Sequence, residues 1–163
     1  MSRQLLELEA ILQALINEHR KLLTHIDAHQ TAMRKMDLSK MDAAAKQQEA
    51  ARLRISSLEA KRQFAVNQLA RMSKLSGEIT LARVADVNPL RREPLLKLRD
   101  ELREMMLEIK SRTNVAGRVA GAVLGHLNTV VRLLAGAVEQ AGLYTKNGVP
   151  KVSARIGVME AVG

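Results

Sequence analysis

Along the first fifth of the chain, Leu5, Leu8, Leu12, Leu15, Leu22, Ile26, Met33 and Met36 recur at alternating intervals of three and four, with charged and polar residues between them. A repeat averaging about 3.5 residues is the mark of a helix that presents one seam to a neighbour. It predicts a first helix over about 3–36, with His19 and His29 at two seam positions. Polar groups in a seam fix register and partner at some cost in stability. Asp37-Leu38-Ser39 interrupts the pattern, and either Asp37 or Ser39 can cap the next helix by accepting from its free backbone donors. The second helix, about 39–73, carries Met41, Ala44, Ala51, Ile55, Leu58, Ala65, Leu69 and Met72 on its seam, with Gln48 and Arg62 as polar members. So short a connection folds the two helices back antiparallel. Folding the sequence about Leu38 sets His29 opposite Gln48 and Arg62 near Ala14. Leu75-Ser76-Gly77 ends the helix, Gly77 suiting the positive φ of a helix stop. A linker turn at about 79–86, opened by Thr80 and carrying Leu81, Val84 and Val87, is expected to cap the end of this hairpin. Pro89 and Pro94 bracket the start of the last long helix, about 92–142, with Pro94 acceptable in its first turn.

The two halves of that helix differ. Leu95, Leu98, Leu102, Met105 and Ile109 continue the seam pattern, with Lys97, Arg99, Asp100, Glu101, Arg103 and Glu104 between them. From Val115 onward the apolar residues spread over an arc on the order of 200°, against the roughly 100° that seats a helix on one neighbour. Arg118, Thr129, Arg132 and Gln140 are confined to the remaining wedge. The surplus calls for a partner. Val123, Leu124, Leu127, Val131, Leu134 and Val138 are the candidate residues for it, with homo-oligomer formation as the outcome when no other partner is present. Gly117, Gly121 and Gly125 lie toward the polar wedge, where each weakens the helix by about 1 kcal/mol relative to Ala. A long apolar helix of marginal stability can bend to fit a guest. The fold class is therefore all-α: a long antiparallel three-helix bundle or coiled coil over 1–142, and a flexible C-terminal tail over 143–163.

Composition narrows the function classes. The hydrophobic share of 47% supports a packed core, and with one Phe, one Tyr, no Trp and eight Met that core is aliphatic. No cysteine is present, which removes disulfides, thiolate chemistry and Cys-based zinc sites and fits a reducing cytoplasm. The start, Met1-Ser2-Arg3-Gln4, lacks the apolar core of a secretory signal, so the chain is expected to stay inside the cell. Val115 to Val138 approaches the ~20 residues of a membrane span, but Arg118, His126, Asn128 and Arg132 interrupt it. Each arginine near a bilayer centre costs about 2.5 kcal/mol or more, which argues against a transmembrane segment. His25 and His29 are four apart, without a third ligand fixed nearby, so the structural role is preferred to metal binding. No nucleophile with a base, phosphate loop or HExxH motif occurs, so neither an enzyme nor a cofactor is implied. A net charge of +9 raises nucleic-acid binding, yet cations alternate with acids along the helices and no aromatic platform accompanies them.

Glu18-His19-Arg20-Lys21-Leu22-Leu23, Leu58-Glu59-Ala60-Lys61-Arg62, Thr80-Leu81 and Leu95-Leu96-Lys97-Leu98-Arg99-Asp100-Glu101-Leu102 follow one another along the chain, which closes with Leu143-Tyr144-Thr145-Lys146-Asn147-Gly148. In this order of features the chain resembles the FlgN family of flagellar type III export chaperones. The strong basicity and the tail beyond Gly148 depart from the family pattern. The resemblance implies a cytoplasmic, non-enzymatic role: holding the first and third hook-associated proteins and delivering them to the cytoplasmic domain of the export gate. It implies that the apolar arc of the last helix takes a client helix, an amphipathic helix laid in an apolar groove being a recurring mode. It also implies gate docking by Tyr144. The alternatives are a basic helical nucleic-acid binder and a structural coiled coil without a client.

Overall fold

In the computed structural model, which describes the backbone of residues 2–142 and the side chains of 3–137, the elements are all helices. Their order is α1 (Ser2–Arg34), α2 (Leu38–Met72), α3 (Leu81–Asp86) and α4 (Pro89–Gly142). The chain divides into two units, Met1–Ala120 and Gly121–Gly163, and the packing below belongs to the first.

α1 and α2 form the antiparallel hairpin. Arg54 donates to Glu18 at 2.8 Å, and Gln48 Nε2 lies 3.0 Å from the His29 ring and 3.3 Å from the His25 carbonyl. The expected His29–Gln48 layer is thus present. His19, unlike the half-buried His29, is buried, its Nδ1 lying 2.7 Å from the Leu15 carbonyl oxygen. Arg62 pairs with Glu59 and lines a hollow with Leu12 and Leu102.

Both hairpin helices end in the same way. Asp37 N–H donates to Ala32 O and Met36 N–H to Met33 O; Leu75 N–H donates to Ala70 O and Lys74 N–H to Arg71 O. These are paired Schellman closures, and each places its turning residue in the left-handed region, Met36 at φ 54 and Lys74 at φ 53. Two expectations are corrected. Met36 is no seam residue but an exposed turn residue, and α2 stops through Lys74 rather than Gly77, whose φ of +83 serves a later bend. The reason is that Leu75, the residue after the turn, packs against the core, which fixes where the turn must fall. Of the two candidate caps, Asp37 caps α2, its Oδ1 accepting from Lys40 N at 3.0 Å.

α3 is buried through Leu81, Val84 and Ala85, while Val87 is exposed. It is capped by Thr80, and Arg83 donates back to the Ser76 and Glu78 carbonyls at 2.9 and 2.7 Å. α3 joins one cluster with Leu8, Leu12 and Leu15 of α1, Ala65 and Leu69 of α2, and Leu95 and Leu102 of α4. A second cluster holds Leu22, Ile26 and Ala51, with Ile109 and Ala116 of α4 packed against it. α4 starts at Pro89, earlier than expected, because Asn88 is buried and bonds the Val84 carbonyl at 2.7 Å, setting Pro89 at the first helical position. Pro94 consequently falls in the second turn, where it leaves the Leu90 carbonyl without its helical donor. Arg91 bonds Glu9 at 3.4 Å, Arg20 pairs with Glu101, and Arg112 bonds Asp27 at 2.9 Å. Since both partner numbers rise together, α4 runs parallel to α1 and antiparallel to α2.

Candidate functional site

Through residue 109, α4 is an ordinary core helix: Leu95 and Leu102 are buried, and Leu98, Met105 and Ile109 half-buried. Beyond Gly121 the character changes. Leu124, Leu127, Val130, Val131, Leu133 and Leu134 are between 38% and 68% exposed, and Val123 is half-buried. At about 100° per residue, Val123, Leu127, Val130 and Leu134 fall within an arc of about 60°, with Leu124 and Val131 on one flank and Leu133 on the other. Arg118, Asn128, Thr129 and Arg132 occupy the opposite side of the helix by the same count, and the Thr129 hydroxyl donates to the Gly125 carbonyl at 3.0 Å. A methyl group added at Gly117, Gly121, Gly125 or Gly136 would meet nothing within 4 Å. These glycines therefore serve no close approach among the described residues.

Of the residues expected to meet a partner, Val123, Leu124, Leu127, Val131 and Leu134 lie together on this face, and Val130 and Leu133 join them. The side chain of Val138, and Tyr144 entirely, lie outside the described residues. Lacking hydrogen-bonding groups, the stripe can offer only apolar contact to whatever covers it. By length and composition alone α4 is also long and apolar enough to cross a membrane. Among the described residues no group of three or more His, Asp or Glu side chains is placed to hold a metal. His29, one of the pair weighed as ligands, has its Nδ1 taken up by Gln48.

Sequence reasoning missed a second feature: an opening of about 520 Å³ between α2 and α4, floored by Leu12 and Leu102 and edged by Arg99, Arg103 and Lys110. The available signal was that these three cations share one flank of α4 with no acid among them, whereas Glu101, Glu108 and Arg112 share the other.

Comparison with curated proteins and with solved structures gives no match. The family model described as FlgN protein matches residues 1–151, which is most of the chain, and the chain therefore belongs to the FlgN family, a family of flagellar export chaperones rather than enzymes.

Proposed function

We propose that the chain holds the hook–filament junction proteins, the first and third hook-associated proteins, in the cytoplasm and delivers them to the cytoplasmic domain of the export gate. The observation that carries this reading is the exposed apolar stripe of α4, Leu124 to Leu134, in a chain of the FlgN family. Junction proteins have apolar terminal helices that are buried only after assembly, and such a helix needs cover beforehand. An amphipathic client helix laid along Val123, Leu127, Val131 and Leu134 removes apolar surface from water on both partners, at roughly 25 cal/mol per Å². The same stripe is then covered by protein and not by lipid. Tyr144 is the proposed anchor for the gate, since an aromatic side chain supplies much of the energy in a small interface.

The test is co-purification with the two junction proteins. Leu127→Asp and Leu134→Asp each set a charge into the apolar contact and abolish client capture, while the unfolding midpoint stays within about 2–4 °C of the parent because both sites are exposed. Capture that survives both substitutions moves the client surface off α4, with α1 the next element to test. Tyr144→Ala lowers gate affinity and leaves client capture intact.

A further inference from the structure

We infer that the groove between α2 and α4, wholly within residues 1–120, docks an acidic amphipathic helix. Two hollows, of about 520 and 320 Å³, adjoin along this groove, Met106 and Lys110 lining both. Its floor is apolar: Leu12 and Leu102 under the first hollow, Leu22 and Ile55 under the second. Met106 and Leu107, more than half exposed, form the lip on α4. An apolar floor with a methionine at its edge suits a helix ridge, since the thioether adapts to the shape it meets.

The rim decides the charge of the occupant. Five cations line the two hollows, Arg52, Arg62, Arg99, Arg103 and Lys110, against the single carboxylate of Glu59. Arg62 pairs with Glu59 and Arg99 with Asp100, while Arg52, Arg103 and Lys110 have no ion-pair partner among the described residues. Arg103 and Lys110 stand seven residues apart on α4, about 10.5 Å along the axis, so carboxylates two turns apart on a docked helix reach both. A nucleic acid would use these cations but leave the floor and the Met106–Leu107 lip without a purpose, and no aromatic ring here stacks a base. A second copy of this chain is a poor occupant, because its own exposed stripe lies in a segment, 115–137, that carries no carboxylate, and Arg118 and Arg132 stand on the opposite side of that helix. An apolar ridge flanked by Asp and Glu meets every part of the groove. The inference is independent of the client reading.

The experiment uses the full chain and two fluorescein-labelled 18-residue helical peptides with the same leucine stripe, one flanked by Glu and the other by Lys. The Glu-flanked peptide binds with saturable anisotropy, and Arg103→Glu combined with Lys110→Glu weakens it by at least about tenfold. The same double variant binds the Lys-flanked peptide more tightly than the parent does. Leu127→Asp with Leu134→Asp leaves unchanged the part of Glu-flanked binding that depends on Arg103 and Lys110, which separates the groove from the client face. Should the reversed-charge variant lose its circular dichroism signal, Arg103→Gln with Lys110→Gln replaces it and still weakens the peptide. Equal binding of both peptides, indifference to the groove variants, or loss confined to the α4 stripe variants overturns the proposal. So does an oligonucleotide that binds the parent through Arg103 and Lys110 while the Glu-flanked peptide does not bind.

Discussion

Met36 and Lys74 hold backbone conformations that β-carbon-bearing residues adopt at a cost of about 1–2 kcal/mol, because the Schellman closures of α1 and α2 require them. Neither side chain is buried. Met36→Gly and Lys74→Gly are therefore each expected to stabilise the chain by about 0.5–1 kcal/mol in denaturant melts, part of the relief being lost to the greater freedom of glycine when unfolded. An unchanged midpoint for both would show that these turns are not strained. Glu18 gives a residue-scale dependence on pH. It accepts from Lys21 at 2.7 Å and from Arg54 at 2.8 Å, and these bonds hold its carboxyl below the usual glutamate range despite partial burial. A carboxyl lowered in the folded state contributes stability above its unfolded pKa of about 4.3 and loses it as pH falls through the folded value. Acid unfolding of Glu18→Gln should accordingly be less steep below about pH 4.3 than that of the parent, with the variant less stable near neutrality.

At the scale of the element, α4 invites a test of what its glycines do. With open space around each Cβ position, Gly121→Ala and Gly125→Ala add helix propensity of about 1 kcal/mol apiece without a clash. Stronger helical circular dichroism and slower amide exchange over residues 115–137 are expected. If a pliable helix aids capture, client affinity falls in the same variant. The first half of α4 was legible in the sequence because Leu95, Leu98, Leu102, Met105 and Ile109 obey one spacing, and one spacing means one face. The apolar stripe after Gly121 was legible as an arc too wide for one neighbour. The stop of α2 was not, since a glycine signals left-handed permission without saying where it is used, and the packing of Leu75 placed the turn at Lys74 instead. Nor was the basic groove: periodicity assigns each helix its inward face but leaves open how wide a gap two rotated neighbours keep between them. Phe64, the one phenylalanine, shows the same limit, standing 69% exposed beside a hollow between α1 and α2.

For the molecule as a whole, six cations among the described residues fall into two settings. Arg91, Arg20 and Arg112 take part in ion pairs between α1 and α4, surface pairs worth about 0–1 kcal/mol each that set orientation more than stability, while Arg52, Arg103 and Lys110 edge the groove. The direction of α4 has a kinetic consequence. The polar contacts that close the α1–α2 hairpin join residues 19 to 36 positions apart, whereas those between α1 and α4 join residues 81 to 85 apart. Closing the longer loop costs more chain entropy, so the hairpin is expected to assemble first and α4 to dock onto it late. In stopped-flow chevrons Leu95→Ala should then mainly accelerate unfolding, and Leu12→Ala should slow refolding. During synthesis the hairpin emerges before all of α4 has been translated, and the segment that carries the exposed stripe leaves the ribosome after the scaffold that receives the first half of its helix.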